Sequence, residues 1–470
     1  MHAPIQAPTR QLADLPSPRG VPLLGHLLDA DPTRLHLTLE RFAAEVGSPY
    51  VFRLGPQRIY VSTSAEQLQT VLRERPERYR RLKKMADCID ELGSAGVFSV
   101  EGAAWRPQRR LVMEALNATH FRSFLPTIHR ITERLLRSWQ RAAADGHAVE
   151  MTRDLIRFTV DVTTALAFGE DPNTIESGGD VIQDHLAEVF PRLMARINSP
   201  VSYWRYVKLP VDRRLDRALA AVWSHIDRLI ASTHLRMAAQ PDAPPSNVLE
   251  ALLKAAADPA SRIDDTDVRA NVLTLLLAGE DTTAHTLAWT TYFLAQSSTW
   301  QDRLHDATRA ATGDAALPIT IEQVRALDLL EAAANEATRL KPIVPLILLE
   351  PTEDVVLDGV ALPAGTPMFY LLRPAMLDEQ HFGDPHSYRP ERWLHGQAPG
   401  AHDPRAYVQF GAGPRVCPGR HLAGVEIRLV LAALTRHFRF ELATDPASIR
   451  EVMAFTMTPN LMPVRLTPRD

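Results

Sequence analysis

Residues 410–419 read FGAGPRVCPG, a glycine-rich loop that presents one cysteine, Cys417, shortly before a predicted helix. Glycine lets a backbone lie close to a flat ligand, where a β-carbon would collide. A helix N-terminus with free backbone N–H groups favours a thiolate, which is the form of cysteine that binds metals. The stretch therefore predicts a thiolate site. The simpler alternative is a small buried cysteine beside a turn, which is the commoner fate of a lone cysteine.

The spacing Phe-x-x-Gly-x-Arg-x-Cys-x-Gly favours the thiolate site, because a chance match in a chain of 470 residues is well below about one in a thousand. Phe410 is suited to shield the sulfur, and Arg415 offers a planar donor for a carboxylate. The loop resembles the haem-binding loop of cytochrome P450 enzymes at every fixed position. The resemblance extends from about Leu15 to Leu466, with four motifs in the family's order.

This resemblance implies a fold class: mainly α with small β-sheets, prism-like, with a haem between the long central helix and the helix that follows the cysteine loop. The implied cofactor is haem b, iron protoporphyrin IX, with Cys417 as the axial ligand of the metal. The implied cofactor-binding residues are Trp105, Arg109, Ala278, Phe410, Gly411, Arg415, Cys417 and Gly419. The implied catalytic residues are Gly279, Asp281 and Thr282.

Residues 278–283 read AGEDTT and lie in the middle of a helix predicted from about Asp264 to Gln296. Glycine inside a helix costs up to about 1 kcal/mol, so Gly279 needs a reason. Together with the hydroxyl residues it would let the helix open locally into a groove for O₂ and water. Asp281 and Thr282 then form an acid–alcohol pair suited to proton relay. A kinked core helix with a polar stripe is the alternative, and the cysteine loop favours the catalytic interpretation.

Two further motifs match the family. Glu336 and Arg339 stand three residues apart on one predicted helix face, and Arg392 offers the later arginine to which such a pair locks. This role is structural. Trp105 and Arg109 stand four apart, so both side chains fall on one face and suit a haem propionate. The stretch 345–349 lacks an arginine that the family often has, which gives Arg109 and Arg415 more of the propionate charge.

Composition excludes several classes of protein. Two cysteines, Cys88 and Cys417, are too few for a disulfide framework or a four-thiolate iron–sulfur cluster. A net charge of −4 gives no indication of a nucleic-acid partner.

The length of the chain allows one large or two medium domains. We expect a Pro-rich N-terminal lead-in over residues 1–24 and one haem domain over 25–470, without a fused reductase or membrane anchor. A cytoplasmic location follows, and the excess of arginine over lysine suits a bacterial source.

The resemblance implies a monooxygenase that inserts one atom of O₂ into a lipophilic small molecule, usually as a C–H hydroxylation. Electrons would come from NAD(P)H through an external ferredoxin and reductase or a flavodoxin-type donor, docked near exposed arginines such as Arg106, Arg110 and Arg420. Two alternatives stay open: a peroxide-driven haem-thiolate peroxygenase and a non-catalytic haem sensor or carrier. Fatty acids, terpenoids and aromatics all remain candidate substrates. The expected pocket lining is 85–100, 190–204, Leu277, Ala278 and 345–349.

Local patterns predict the elements that carry these motifs. Residues 50–62 alternate like two strands around a Gly-Pro turn, and 355–362 read as a hairpin with an Asp-Gly turn. Apolar residues recur at helical spacing through most of 65–256. Further helices are predicted over 324–340 and over 420–437.

Overall fold

The computed structural model describes residues 10–116, 118–178, 181–199, 201–258, 261–396 and 400–469. Contacts divide the chain into two units. The first unit comprises residues 1–87, 339–387 and 399–417. The second comprises residues 88–338, 388–398 and 418–470. The lead-in predicted over 1–24 enters the described chain only from residue 10 onward, and a single haem domain over 25–470 remains a prediction.

Helices make up most of the second unit, and most of the described strands lie in the first. Within the described residues the helices are α1 (Leu35–Val46), α2 (Ala65–Arg73), α3 (Lys83–Asp90), α4 (Trp105–Ala115), α5 (Ala118–Ala144), α6 (Met151–Phe168), α7 (Thr174–Ser177), α8 (Val181–Asn198), α9 (Pro210–Ala239), α10 (Val248–Ala256), α11 (Asp265–Leu294), α12 (Ser298–Thr312), α13 (Ile321–Arg325), α14 (Asp328–Leu340), α15 (Arg373–Met376) and α16 (Arg420–His437). The strands are β1 (Arg10–Gln11), β2 (Tyr50–Leu54), β3 (Gln57–Ser62), β4 (Tyr79–Arg81), β5 (Val149–Glu150), β6 (Leu346–Pro351), β7 (Val355–Leu357), β8 (Val360–Leu362), β9 (Met368–Leu371), β10 (Phe438–Leu442), β11 (Glu451–Met453), β12 (Met457–Pro459) and β13 (Pro463–Pro468).

The first unit is organised around a five-stranded sheet with the order β2-β3-β9-β6-β4. The hairpin predicted over 50–62 is confirmed as β2 and β3, with Tyr50 opposite Val61. The hairpin predicted over 355–362 is confirmed as β7 and β8, and β1 pairs with β8 in parallel. Its turn residues Asp358 and Gly359 have φ values of 49° and 74°, which Asp and Gly tolerate best.

The second unit has α11 packed against α6 at its centre. Asp264 caps α11 by accepting a hydrogen bond from the Asp267 amide, as the acidic start of this helix predicts. The helix spans thirty residues, about 45 Å at 1.5 Å per residue. Trp289 of α11 is buried. Helix α16 packs against α11, α12 and α5. Among the residues that the structure describes, no helix is both long and apolar enough to cross a bilayer.

One predicted helix is wrong in its extent. The stretch 324–340 contains the end of α13 and the whole of α14, with a break at Ala326 and Leu327. A capping box between Thr320 and Gln323 starts α13 earlier than predicted. Asp328 then begins α14, where a carboxylate faces the positive end of the helix dipole. Because Val324 and Leu327 are both buried, the apolar spacing continues across the break and hides it.

Candidate functional site

The first unit contains the cysteine loop. The backbone N–H of Cys417 donates to the Phe410 carbonyl at 2.8 Å, which closes the loop over a 3₁₀ turn at Gly413–Arg415. Gly411 and Gly413 have φ values of 71° and 67°, in the left-handed region that favours glycine. A β-carbon on Gly413 would lie 2.4 Å from the Leu72 carbonyl oxygen of α2, so only glycine fits there.

The loop leaves its thiol accessible. Residues 409–419 are all half-buried or exposed, whereas the other cysteine, Cys88, is buried. Phe410 is itself half-buried in this loop, and Cys417 lies three residues before the first residue of α16. A thiol at this place can bind a ligand that a core cysteine cannot reach. The donor set, one thiol with an aromatic neighbour and glycines that open the backbone, fits a haem iron bound through sulfur.

In the second unit, α11 carries the predicted catalytic stretch. Most of this helix is buried, yet Ala278 is exposed and Asp281 and Thr282 are half-buried. The Thr282 hydroxyl donates to the Ala278 carbonyl at 2.9 Å. The helix is continuous through residues 278–283, so the local opening predicted around Gly279 is absent. The hydroxyl bonds its own helix without displacing a backbone hydrogen bond, which is a common geometry for threonine.

Gly279 has a different reason from the one predicted. A β-carbon at this position would lie 2.7 Å from the Thr163 hydroxyl oxygen of α6. The Thr159 hydroxyl, one turn earlier on α6, donates to the Glu280 carbonyl at 2.7 Å. The glycine therefore allows close approach of α11 and α6.

Two acids on α11, Glu280 and Asp281, have pKa values above their ordinary range. Burial raises the pKa of Asp281 from 3.8 to about 6. Burial, followed by the charge of Asp281, raises the pKa of Glu280 from 4.5 to about 8. Near pH 7 Asp281 is mostly ionised and Glu280 mostly protonated. A carboxyl group with a pKa close to the working pH can both give and regain a proton, which suits Asp281 to proton transfer.

Two buried groups beside this stretch were not predicted from the sequence. Burial raises the pKa of Glu426 on α16 to about 8, and a hydrogen bond from Thr283 opposes that shift. Burial lowers the pKa of His285 to about 4, and its Nδ1 lies 2.9 Å from the Thr456 hydroxyl. No local pattern marks either residue. The only signal is a charged residue at an apolar position of a helical repeat, which is also how a solvated helix face looks.

Trp105 and Arg109, the residues predicted to bind the propionates, both lie in α4. Trp105 is buried and Arg109 is half-buried, one helical turn later. Of the arginines suggested for electron-donor docking, Arg106, Arg110 and Arg420 are all exposed. The stretch 345–349 lies mostly in β6, which pairs with β9 and β4.

The Glu336 prediction is confirmed. Its carboxylate accepts from the Arg392 Nε at 2.9 Å and from the Trp393 indole at 3.0 Å, with the Glu336 and Arg392 side chains fully buried. In the first unit, Arg339 donates to the carbonyls of Met376 at 2.7 Å and Pro385 at 2.6 Å. Each of these buried charges is therefore neutralised or hydrogen-bonded, as burial requires.

The structure brings the site residues together in two groups. The first unit holds Phe410, Gly411, Arg415 and Cys417 in one loop. The second unit holds Ala278, Gly279, Asp281 and Thr282 on α11, Trp105 and Arg109 on α4, and Gly419 at the start of α16. That all of them serve one haem remains a prediction.

Comparison with known proteins gives the family. The family model for Cytochrome P450 matches residues 15–465. The human mitochondrial 25-hydroxyvitamin D-1 alpha hydroxylase is 27% identical, with 96% of this chain and 91% of that protein covered. The pluviatolide synthase of Podophyllum peltatum is 25% identical, with 97% and 92% covered. The chloroplastic protein LUTEIN DEFICIENT 5 of Arabidopsis thaliana is 25% identical, with 87% and 70% covered.

These three relatives come from eukaryotes, so they lend no support to a bacterial source. Their mitochondrial and chloroplast names leave the cytoplasmic location a prediction. The family match spans almost the whole sequence and includes the cysteine loop, the acid–threonine stretch and the buried Glu336. With these residues in place, the chain belongs to the cytochrome P450 family of haem-thiolate monooxygenases.

Proposed function

We propose that this enzyme hydroxylates a lipophilic small molecule, with Cys417 as the axial thiolate of its haem. The observation that carries the proposal is the accessible thiol of Cys417 in a loop whose Gly413 admits no side chain. When bound, the haem supplies the activation of O₂ and the attack on a C–H bond, and the thiolate favours cleavage of the O–O bond. The protein residues hold the haem, shield the sulfur and exchange protons.

The cysteine loop sets the electronic character of the sulfur. Backbone N–H groups at a helix N-terminus stabilise negative charge, so the position before α16 favours the thiolate form of Cys417. Phe410 shields one side of the sulfur from water. Arg415, Arg109 and Trp105 supply donors for the two propionates, and the absence of arginine from 345–349 increases the share that Arg109 and Arg415 carry.

Asp281 and Thr282 deliver protons to the reacting oxygen. The hydrogen of the Thr282 hydroxyl is directed to the Ala278 carbonyl, so its oxygen is available as an acceptor. A water molecule held there can pass on a proton that Asp281 releases and regains, since its pKa of about 6 lies near neutrality. This acid–alcohol pair favours a monooxygenase over a peroxide-driven peroxygenase or a sensor. Hydrogen peroxide already carries the two protons that leave as water, and a sensor cleaves no O–O bond, so neither alternative draws protons from solvent.

The remaining assignments follow from family resemblance. We propose a largely apolar pocket lined from 85–100, 190–204, Leu277, Ala278 and 345–349, which suits a lipophilic substrate. Electrons come from a separate ferredoxin and reductase or a flavodoxin-type donor that uses NAD(P)H. Exposed Arg106, Arg110 and Arg420 suit an acidic donor surface. A cytoplasmic location is part of this proposal.

A spectroscopic test addresses the sulfur ligand directly. The purified protein, reduced under carbon monoxide, is expected to show the red-shifted Soret band that a thiolate ligand produces. Cys417→Ser should abolish that band, whereas the matched variant Cys88→Ser, at the buried cysteine, should keep it. A wild-type protein without the band, or a Cys417→Ser variant that retains it, would refute the proposal.

A further inference from the structure

Asn271 lies at the centre of a buried hydrogen-bond network near the N-terminal end of α11. Its side chain is fully buried, and its amide nitrogen donates to the Gln108 Oε1 at 3.1 Å and to the Asp267 carbonyl at 2.8 Å. Its Oδ1 accepts the backbone N–H of Val97 at 2.8 Å. Gln108 in turn donates to the Asp267 carboxylate at 2.8 Å and to the Ala95 carbonyl at 3.3 Å. The network thus ties residues 94–100, an irregular segment, to α11.

The 94–100 segment lies tightly against the next turn of the helix. A β-carbon on Gly96 would come within 2.2 Å of the Thr274 hydroxyl oxygen and 2.9 Å of the Ala270 carbonyl oxygen. The Ser94 hydroxyl lies 3.5 Å from the same Thr274 oxygen. A segment with no helix or strand of its own therefore owes its position to these side chains, since loops lacking such ties are mobile.

A second attachment lies further along α11. His285 Nδ1 lies 2.9 Å from the Thr456 hydroxyl, at the turn of the β11–β12 hairpin, and the Trp289 indole donates to the Met457 carbonyl at 3.4 Å. Phe455 at this turn contacts Phe98 of the 94–100 segment, with ring centroids 5.8 Å apart. Helix, segment and hairpin therefore form a closed ring of contacts.

The middle of that ring is the proposed catalytic stretch. Asn271, Ala278, Thr282, His285 and Trp289 are spaced by seven, four, three and four residues, which places them on one face of an α-helix. The two ends of this face, at Asn271 and Trp289, are buried, whereas Ala278 between them is exposed. Phe98 follows Val97, which bonds Asn271, and Phe455 precedes Thr456, which bonds His285. The Phe98–Phe455 contact therefore joins two segments that are attached to this face on either side of Ala278 and Thr282.

We propose that Asn271 is a positioning residue for substrate selectivity. Its carboxamide fixes the 94–100 segment on α11 and so holds Phe98 opposite Phe455 above Ala278 and Thr282. A bulky ligand at this face meets the two aromatic rings, whereas a very small ligand does not. This inference rests on the proposed function and extends it, because it assigns selectivity to a side chain that acts through the segment it holds.

The test uses holoprotein and two nitrogen ligands of haem iron, imidazole and 4-phenylimidazole, titrated by the shift of the Soret band. In Asn271→Ala, the Kd of 4-phenylimidazole is expected to rise about tenfold, while that of imidazole changes by less than about twofold. Deuterium exchange of the 94–100 amides should accelerate about tenfold. Thr291→Val serves as the control, because the hydroxyl of this buried threonine of α11 donates to the Leu287 carbonyl of its own helix, away from the network of Asn271.

Gln108→Met is a second variant that removes the bonds to Asn271, Ala95 and the Asp267 carboxylate without emptying a buried site. It should shift exchange and the 4-phenylimidazole Kd in the same direction, by about threefold. Unchanged exchange at 94–100 in both variants, or equal weakening of both ligands, would overturn the role of Asn271. A wild type that lacks the thiolate band under carbon monoxide would instead refute the proposed function, and with it the selectivity role.

Discussion

Glu426 is a carboxyl group that folding removes from water. Its pKa of about 8 in the folded protein lies above the ordinary value of 4.5, so the folded state holds a proton that the unfolded state releases near neutrality. The stability that this group contributes is therefore complete below pH 4.5 and is lost as the pH rises toward 8. The loss is at most about 1.4 kcal/mol per pH unit within that window.

Glu426→Gln is expected to remove this pH dependence, because an amide keeps the acceptor for Thr283 without titrating. Relative to wild type, the variant should gain stability progressively between pH 5 and pH 8, by roughly 1–3 kcal/mol. Thermal unfolding at several pH values measures the difference. Glu379→Gln, the same change at an exposed carboxyl, is the control. A Glu426→Gln curve parallel to wild type at every pH would contradict the assignment.

Thr282→Ala removes the hydroxyl that we assign to proton delivery. We expect electrons from NAD(P)H still to be consumed, with a fall in hydroxylated product of roughly tenfold or more and a matching rise in hydrogen peroxide. Thr290→Val is the control, because Thr290 lies about two turns further along α11 and its hydroxyl donates to the Thr286 carbonyl of the same helix. Efficient peroxide-driven turnover that is indifferent to Thr282→Ala would favour the peroxygenase alternative.

Cys417, Asp281 and Thr282 could be proposed from the sequence because their motifs are encoded in short-range spacing. Glu426 and Asn271 were missed for a physical reason. Both sit in helices whose local pattern is unremarkable, and their importance arises from burial against residues more than a hundred positions away, such as Thr283 and Val97. Nothing within one helical turn of either residue carries that information.

Helix pairing gives Gly279 a role that the sequence did not predict. Gly279 was expected to open α11, and it instead admits Thr163 of α6. Gly279→Ala should destabilise the protein by about 1–3 kcal/mol, because the added methyl group overlaps the Thr163 side chain. Thr163→Ala in the same chain removes that overlap, since only the Thr163 Cβ, 3.5 Å from the new methyl, remains. Unfolding midpoints of the two single variants and the double variant measure the coupling.

Rescue in the double variant is the decisive result. Suppose that Gly279→Ala lowers the free energy of unfolding by the same amount whether position 163 is Thr or Ala. The contact between α6 and α11 is then not the reason for the glycine. The expected alternative would then be backbone opening, as first predicted. Thr159, which binds the Glu280 carbonyl, stays unchanged in every variant.

The elements that were predicted well carry their own start and stop signals. Asp264 caps α11, and the bounds of α16 agree with the predicted 420–437. The error at 324–340 arose where apolar spacing ran through a break that only tertiary packing of Val324 and Leu327 produces. Local capping can be read from a sequence, whereas packing that bends a chain between two apolar positions cannot.

Sheet order in the first unit depends on residues far apart in the chain. Strand β3 pairs with β9, and β4 pairs with β6, so strands from before residue 82 need partners from after residue 345. The sequence predicted both local hairpins and gave no indication of these pairings. Hairpin formation is decided by two turn residues, whereas pairing across such distances is decided by the whole fold.

A chain shortened to residue 338 tests this dependence. It should leave the amides of β3 unprotected from deuterium exchange, because an isolated two-stranded hairpin is marginally stable in water. A chain ending at residue 387 restores β6 and β9 and should recover protection at 57–62, on the order of tenfold or more. Equal protection in the two chains would show that β2 and β3 hold together without their neighbours.

The pairing of β3 with β9 also delays formation of the sheet during protein synthesis. About 300 residues separate the two strands, and at roughly 5–20 residues per second the ribosome needs about 15–60 s to supply the second. During that time Tyr60 and Val61 lack the neighbouring strand on one edge of β3. The nascent chain is then open to association with other chains or with chaperones, and slower translation lengthens the exposure.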